Sequence, residues 1–252
     1  MNFLDALILG IVEGITEFLP VSSTGHLILT SSLLKLQSTE FLKSFEIAIQ
    51  MGAILSVVVL YAKSLIRNRE MLQKVIVAFL PTAILGLLAY KAIKHYLLGN
   101  EMVVIASLLI GGIILILFEL THKSDGKESS NITYTQAFVI GLFQSISMIP
   151  GVSRSAATIL GGLFQGIDRK TVVEFSFVLA IPTMAAATGL DLLKSGTNFT
   201  TYEFELLLVG FVVSFVVAMF CVHWLLKYIQ HHTFIPFGIY RIILALAFWF
   251  LM

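Results

Sequence analysis

Apolar runs separated by short polar punctuation fill most of the chain. A helix that crosses a bilayer needs about 20 mostly apolar residues. Six segments meet that length, at roughly 43–62, 75–95, 102–121, 172–194, 204–228 and 235–252. Two regions break the pattern. Residues 3–19 and 22–36 are short apolar stretches parted at Pro20, and 133–149 and 153–166 are a second pair parted at Pro150-Gly151. Proline lacks a backbone N–H and disfavours helix in its predecessor, so each break ends a helix. Each pair reads as a re-entrant helical hairpin that enters and leaves the membrane on one side, with two kinked spanning helices as the alternative. Irregular backbone at membrane depth survives only where protein or a polar cavity surrounds it.

Polar residues gather at these breaks. Residues 13–26 read Glu-Gly-Ile-Thr-Glu-Phe-Leu-Pro-Val-Ser-Ser-Thr-Gly-His, and 150–155 read Pro-Gly-Val-Ser-Arg-Ser. The two regions match at a constant offset of 131 residues: Gly10 with Gly141, Glu13 with Gln144, Thr16 with Ser147, Ser22-Ser23-Thr24 with Ser153-Arg154-Ser155, and Ile28-Leu29 with Ile159-Leu160. Each hairpin is followed by three spans. The chain therefore reads as an all-α integral membrane protein of one domain: repeat one 1–121, a polar linker 122–132 and repeat two 133–252. Three spans are an odd number, so the second repeat is expected to be inverted relative to the first. Inverted repeats whose broken helices meet near the midplane are a known way to build a buried polar site.

Composition agrees with a membrane protein. Hydrophobic residues make up 58% of the chain and charged residues 12%, where soluble domains carry about 25% charged. The net charge of +1 gives no field that would attract nucleic acid. Cys221, the one cysteine, cannot form an intrachain disulfide and reads as packing. The first apolar run carries Asp5, Glu13 and Glu17 with no basic stretch before it, so it does not read as a cleavable signal peptide. Nine basic residues (Lys63, Arg67, Arg69, Lys74, Lys123, Lys127, Arg169, Lys170 and Lys227) fall in loops assigned to one side, against Lys35, Lys43, Lys91, Lys94 and Lys194 on the other. The richer side is expected to be cytoplasmic, which turns the mouth of the first hairpin outward.

Glu13 and Glu17 are four residues apart and share a helix face. Two adjacent buried carboxylates do not both ionise comfortably without a cation nearby, and oxygen ligands suit a hard cation such as Mg²⁺ or Ca²⁺. Without metal, one would be protonated and could act as general acid or base; a plain fastening to Arg154 is the bland alternative. Ser22, Ser23 and Thr24 open the second arm, and a helix N-terminus with hydroxyls seeks anions. His26, near the same turn, is a candidate acid, base or nucleophile. Ser153, Arg154 and Ser155 open the matching arm; Arg154 offers a planar fork for phosphate or carboxylate, and Thr158 can face the same way. Together these residues describe an anion-seeking pocket beside carboxylates, which fits a phosphate held partly through a cation. Weaker signals are Glu46 and Gln50 on one helix face, Glu174 at a helix start, and Pro81 and Pro182 as kinks. His122, His231 and His232 read as loop residues, Tyr240-Arg241 as a pair reaching for the membrane interface, and Gly111-Gly112 as a close helix contact.

The two polar stretches resemble the undecaprenyl-diphosphate phosphatase family of the bacitracin-resistance type. Its motif Glu-Gly-x-x-Glu-Phe-Leu-Pro-x-Ser-Ser-Thr-Gly-His stands complete at 13–26, and Pro-Gly-x-Ser-Arg-Ser-x-x-Thr at 150–158. The resemblance implies a multi-pass enzyme of the bacterial inner (plasma) membrane, with its active site on the periplasmic or outer side. It implies removal of the terminal phosphate of a C55 polyprenol diphosphate, recycling of the lipid carrier of cell-wall synthesis, bacitracin resistance and dependence on a divalent cation. By position, Glu13 and Glu17 would be the acidic pair and metal ligands, and Ser23 and His26 the nucleophile and its partner. Arg154, with Ser22, Thr24, Ser153, Ser155, Thr158 and Gln50, would hold the diphosphate. Which of Ser23 and His26 attacks phosphorus is left open. The expected partners are the membrane and a polyprenyl diphosphate lipid, with a second copy of the chain as a candidate and no nucleic acid. The competing function is transport or flipping of a lipid phosphate. An intramembrane protease would leave Arg154 and the acidic pair unexplained.

Overall fold

The structure is a computed structural model that describes residues 1–92, 96–97, 100–122, 128–192 and 199–251. Residues 123–127 of the expected linker, the last residues of the segments 75–95, 172–194 and 235–252, and Lys94, Lys123, Lys127 and Lys194 lie outside the described residues. The described chain is helical: α1 (Phe3–Thr16), α2 (Ser23–Leu33), α3 (Glu40–Arg67), α4 (Arg69–Ala92), α5 (Glu101–Thr121), α6 (Tyr134–Ile146), α7 (Arg154–Leu163), α8 (Arg169–Leu192), α9 (Thr201–Tyr228) and α10 (Ile235–Leu251). Helix starts are written locally. Asn2 with Asp5, Thr133 with Gln136 and Thr200 with Glu203 form capping boxes, each satisfying two N–H groups at the helix start.

The broken regions fold back as hairpins. At 1.5 Å per residue, the 14 residues of α1 and the 13 of α6 reach roughly 20 Å, short of a hydrocarbon core of about 30 Å. Met1 and Leu34, at opposite ends of the first hairpin, belong to one apolar cluster with Leu9 and Leu27. In the second hairpin the Gln136 and Gln165 side-chain amides each donate to the other's backbone carbonyl at 3.3 Å. Five helices, α3, α4, α5, α8 and α9, contain stretches long and apolar enough to cross a membrane. The sixth expected span, α10, is shorter at 17 residues, roughly 25 Å. Its start is fixed by Phe234, whose N–H donates to Glu119 at 2.8 Å, so the helix begins only after that anchor.

Each hairpin packs against a span from the other half of the sequence, α1 along α9 and α6 along α4. A Cβ on Gly10 would stand 2.9 Å from the Gly210 carbonyl oxygen, and one on the matching Gly141 would overlap the Ala78 carbonyl. Only glycine allows both approaches. The close contact expected at Gly111-Gly112 is made with α10, where Gly112 and Gly238 face each other backbone to backbone. Loops assigned to one side do converge: Arg169 grips Glu119 with both terminal nitrogens at 2.5 and 2.6 Å, Ser129 bonds Gly166 and Asp168, and Tyr134 donates to Gln73.

Arg241 departs most from expectation. It does not reach for the membrane interface but is fully buried. Its guanidinium donates to the carbonyls of Pro20 (3.3 Å), Gly151 (3.0 Å), Val152 (2.9 Å), Ser107 (2.9 Å) and Leu108 (3.4 Å). Pro20, Gly151 and Val152 lie in the two helix breaks, where carbonyls have no helical partner. Five carbonyl dipoles stand in for water around the cation, and the bare face of Gly111 makes room for it. Removing it would strand several buried acceptors at a cost of about 3 kcal/mol or more. Arg241→Ala is therefore expected to lower the unfolding temperature in detergent by roughly 6–12 °C; a change within the error of the scan would contradict this role.

Candidate active site

The two breaks present their helix starts to a common cavity. Ser22 (φ 71°) and Ser153 (φ 76°) take the same left-handed backbone conformation, rare and strained for a residue with a side chain. Each caps the arm that follows, with its hydroxyl accepting from Gly25 N–H at 3.4 Å and Ala156 N–H at 3.2 Å. The Ser155 hydroxyl donates to the Phe18 carbonyl at 2.7 Å, which joins the second hairpin to the break of the first. The cavity, about 810 Å³, is lined at its polar end by Glu17, Ser22, Ser23, Thr24, Gln50, Ser147, Ser153 and Arg154. Two helix N-termini and an arginine on one cavity make an anion site.

Glu17 is the hub of the charged groups. Ser23 donates its hydroxyl to Glu17 Oε2 at 2.6 Å, and Arg154 bonds Glu17 Oε1 at 3.0 Å. The side chains of the ion pair are 9% and 5% exposed. Arg154 also donates to the Ser176 carbonyl at 3.1 Å and lies over the Phe18 ring. Its Nε is buried and has no partner among the described residues, and the side chain lines the cavity. The fastening weighed as an alternative to chemistry is thus present, and the same carboxylate holds the proton of Ser23. A hydroxyl so held is arranged for nucleophilic attack with the carboxylate as base.

His26 is placed elsewhere. Its Nδ1 lies 2.8 Å from the Ser22 carbonyl and its Nε2 2.7 Å from the Tyr240 hydroxyl. A carbonyl only accepts, so Nδ1 carries the proton and Nε2 accepts from Tyr240. The ring braces the strained Ser22 and makes no hydrogen bond to Ser23. Ser155 and Thr158 also turn from the cavity, Thr158 toward the Arg154 and Ser155 carbonyls and the Ser176 hydroxyl. Among the weaker candidates, Gln50 lines the cavity and Glu46 accepts from Ser31 at 3.4 Å.

Glu13 is fully buried, and among the described residues no donor reaches either of its oxygens. Its counterpart Gln144 is satisfied: the amide nitrogen donates to Thr82 at 2.8 Å, and Thr183 donates to the amide oxygen at 3.3 Å. A buried carboxylate without donors calls for a proton or a cation. The donor chemistry, two carboxylates one helical turn apart, fits a hard divalent ion. No group of three acidic, His or Cys side chains meets among the described residues, so such an ion would complete its shell with water or phosphate oxygens, as Mg²⁺ commonly does. Thr82 and Thr183 were not singled out from sequence, and Tyr240 was read only as half of an interface pair with Arg241. The first two follow Pro81 and Pro182, a shared Pro-Thr pair that could have marked them; Tyr240 carried no such signal.

The profile described as "Bacitracin resistance protein BacA" matches residues 6–247. A protein named undecaprenyl-diphosphatase from Sulfurihydrogenibium sp. is 53% identical over 252 residues, 99% of each chain. Another of that name from Aquifex aeolicus is 52% identical over 249 residues, 97% of this chain and 96% of the relative. One from Campylobacter jejuni is 46% identical over 255 residues, 100% and 95%.

Orthovanadate is expected to bind the purified protein, with affinity at least about tenfold weaker in Arg154→Ala. Arg154→Lys should fall between, because lysine keeps the charge and loses the fork. Equal vanadate affinity for all three proteins, measured by titration calorimetry, would remove Arg154 from the anion site.

Proposed function

This chain belongs to the bacitracin resistance protein BacA family, and from that premise and the site geometry we propose that it hydrolyses undecaprenyl diphosphate to undecaprenyl phosphate and phosphate. The observation that carries the mechanism is one carboxylate, Glu17, bonded to both Ser23 and Arg154. Ser23 Oγ attacks the terminal phosphorus while Glu17 takes the hydroxyl proton. The bond from that phosphorus to the bridging oxygen breaks, Glu17 hands its proton to the departing oxygen, and undecaprenyl phosphate leaves with Glu17 again ionised. Water then cleaves the phosphoserine with Glu17 as base, releasing phosphate and restoring Ser23. The N-termini of α2 and α7 and the Arg154 guanidinium meet the charge on the phosphoryl oxygens. Phosphoryl transfer depends mainly on such positioning and charge neutralisation. His26 acts by fixing the Ser22 turn from which Ser23 projects. A divalent cation, when bound, would be held by Glu13 and Glu17 and would neutralise phosphate charge.

The reaction returns the lipid carrier to cell-wall synthesis and lowers the lipid diphosphate that bacitracin binds. The basic loops gather at one end of the bundle, which supports a plasma-membrane placement with the cavity served from the outer side. Packing of each hairpin on a span of the other half also suits a transporter or flippase of lipid phosphate, and phosphate release in detergent micelles separates the two readings.

Ser23→Ala is expected to lose at least about 10³-fold in phosphate release from the diphosphate in micelles. His26→Ala should lose no more than about 10²-fold, the scale of a misplacement. An active Ser23→Ala would end the nucleophile assignment, and equal losses would draw His26 into the chemistry. Chelation of divalent ions should slow the wild type on the order of tenfold or more and leave the residual rate of Glu13→Gln unchanged. An insensitive wild type would sink the cation proposal.

A further inference from the structure

The cavity does not end at the phosphate groups. Beyond them its two long walls are α4 from Phe79 to Leu87 and α8 from Met184 to Gly189, with Met148 of the second break packed beside Gly86. Both carry Pro-Thr at the same level, and Gln144 links the two threonines, to Thr82 at 2.8 Å and Thr183 at 3.3 Å. Thr82 passes its own proton to the Gly141 carbonyl at 3.1 Å, and Thr183 can donate to the Leu179 carbonyl at 2.8 Å. The hydroxyl protons of this bridge are thus used within the protein. It makes a poor second phosphate site and a good spacer, holding α4 and α8 apart where the lining changes from polar to apolar.

Past the bridge small residues make up much of both walls, Ala83 and Gly86 on α4 and Ala185, Ala186 and Ala187 on α8, among the larger Leu87, Met148 and Met184. The slot between them is open to the outer surface of the bundle, where Leu87 is 68% exposed. Pockets of about 300–1,000 Å³ hold a drug-sized ligand. A cavity of about 810 Å³ therefore takes a diphosphate and a few isoprene units, and the remainder of a C55 chain must lie outside it.

Resting on the phosphatase reading, we propose that the slot between α4 after Pro81 and α8 after Pro182, its width set by Gln144, seats the first isoprene units of the substrate while the rest of the chain leaves sideways into the bilayer past Leu87 and Ala187. The slot is continuous with the phosphate end, which fixes the occupant as the tail of the same molecule. A nucleoside diphosphate would bring a ribose to walls with few donors to offer, so the slot also selects prenyl over nucleoside diphosphates.

The test pairs labelling with kinetics. A prenyl diphosphate analogue with a diazirine on its first isoprene unit is photolysed with the wild-type protein in micelles, and the labelled peptides are sequenced. Labels within 79–87 and 183–189 are expected; labels on α1, α9 or α10 instead would overturn the proposal. Separately, kcat/KM is measured for C15 and C5 prenyl diphosphates. In Ala186→Phe the ratio of the C15 value to the C5 value should fall at least fivefold from wild type, because the ring fills the slot. An unchanged ratio, or equal loss on both substrates, would count against the slot. A wild type that releases no phosphate from any diphosphate would end the phosphatase reading, while the labelling would still decide the slot.

Discussion

A buried guanidinium with no carboxylate partner among the described residues holds this molecule's two halves in register. Arg241 comes from the last helix, yet its bonds reach both helix breaks and the middle of α5. Broken helices leave carbonyls unsatisfied, and at membrane depth each such group costs several kcal/mol. One cation answers carbonyls from both breaks at once. This links the position of the first break to that of the second, and so the position of Ser23 to that of Arg154. The strained Ser22 and Ser153 turns are held from behind by Arg241, and Ser22 also from the side by His26 and Tyr240. The pocket is preformed because its backbone has few alternatives.

The electrostatics follow from that frame. Isolated charges are costly in the interior, and a buried pair is favourable only with good geometry and further hydrogen bonds. Glu17 and Arg154 meet the condition through Ser23 and the Ser176 carbonyl. Glu13 does not, since no donor among the described residues reaches it. A group left unsatisfied inside an otherwise well-bonded core is where function is expected to carry a cost. It is also the group whose comfort depends on what binds.

Much of this was legible in the sequence, for reasons that can be named. Spans and breaks announce themselves because the bilayer fixes helix length and proline stops helices, so the hairpins and helix starts follow from local rules. The meeting of Glu17 with Arg154 was legible through the repeat: matched breaks in a pseudo-symmetric frame are expected to approach each other. Arg241 was misread because a basic residue near a helix start usually reaches for water, and nothing local reveals that carbonyls from two distant breaks await it. The separation of His26 from Ser23 was likewise hidden. Three residues along a helix start leave the ring's direction to its partners, and the deciding partner, Tyr240, lies 214 residues away. The shortness of α10 depends on the Phe234 anchor to Glu119, another contact without a sequence signature.

The two hairpins share a frame but not a chemistry, and three of the matched positions that differ decide the charge and the attacking group: 13 and 144, 17 and 148, 23 and 154. With Glu at both members of the first two pairs, four carboxylates would crowd the two breaks, two of them on the cavity, with no arginine among the matched positions, and phosphate would be repelled. With Arg at both 23 and 154, the anion would be gripped but no hydroxyl would stand against Glu17 to attack it. A two-fold symmetric site is thus either repulsive or inert toward a phosphoanhydride. Gln144 shows how the difference is tolerated in the core. It keeps the shape of the glutamate at 13 but supplies its own donors, so it is satisfied by Thr82 and Thr183 and needs no cation. The neutral half becomes a wall of fixed spacing, and the charged half is left with the one carboxylate that only a proton, a metal ion or a bound substrate's cation can satisfy.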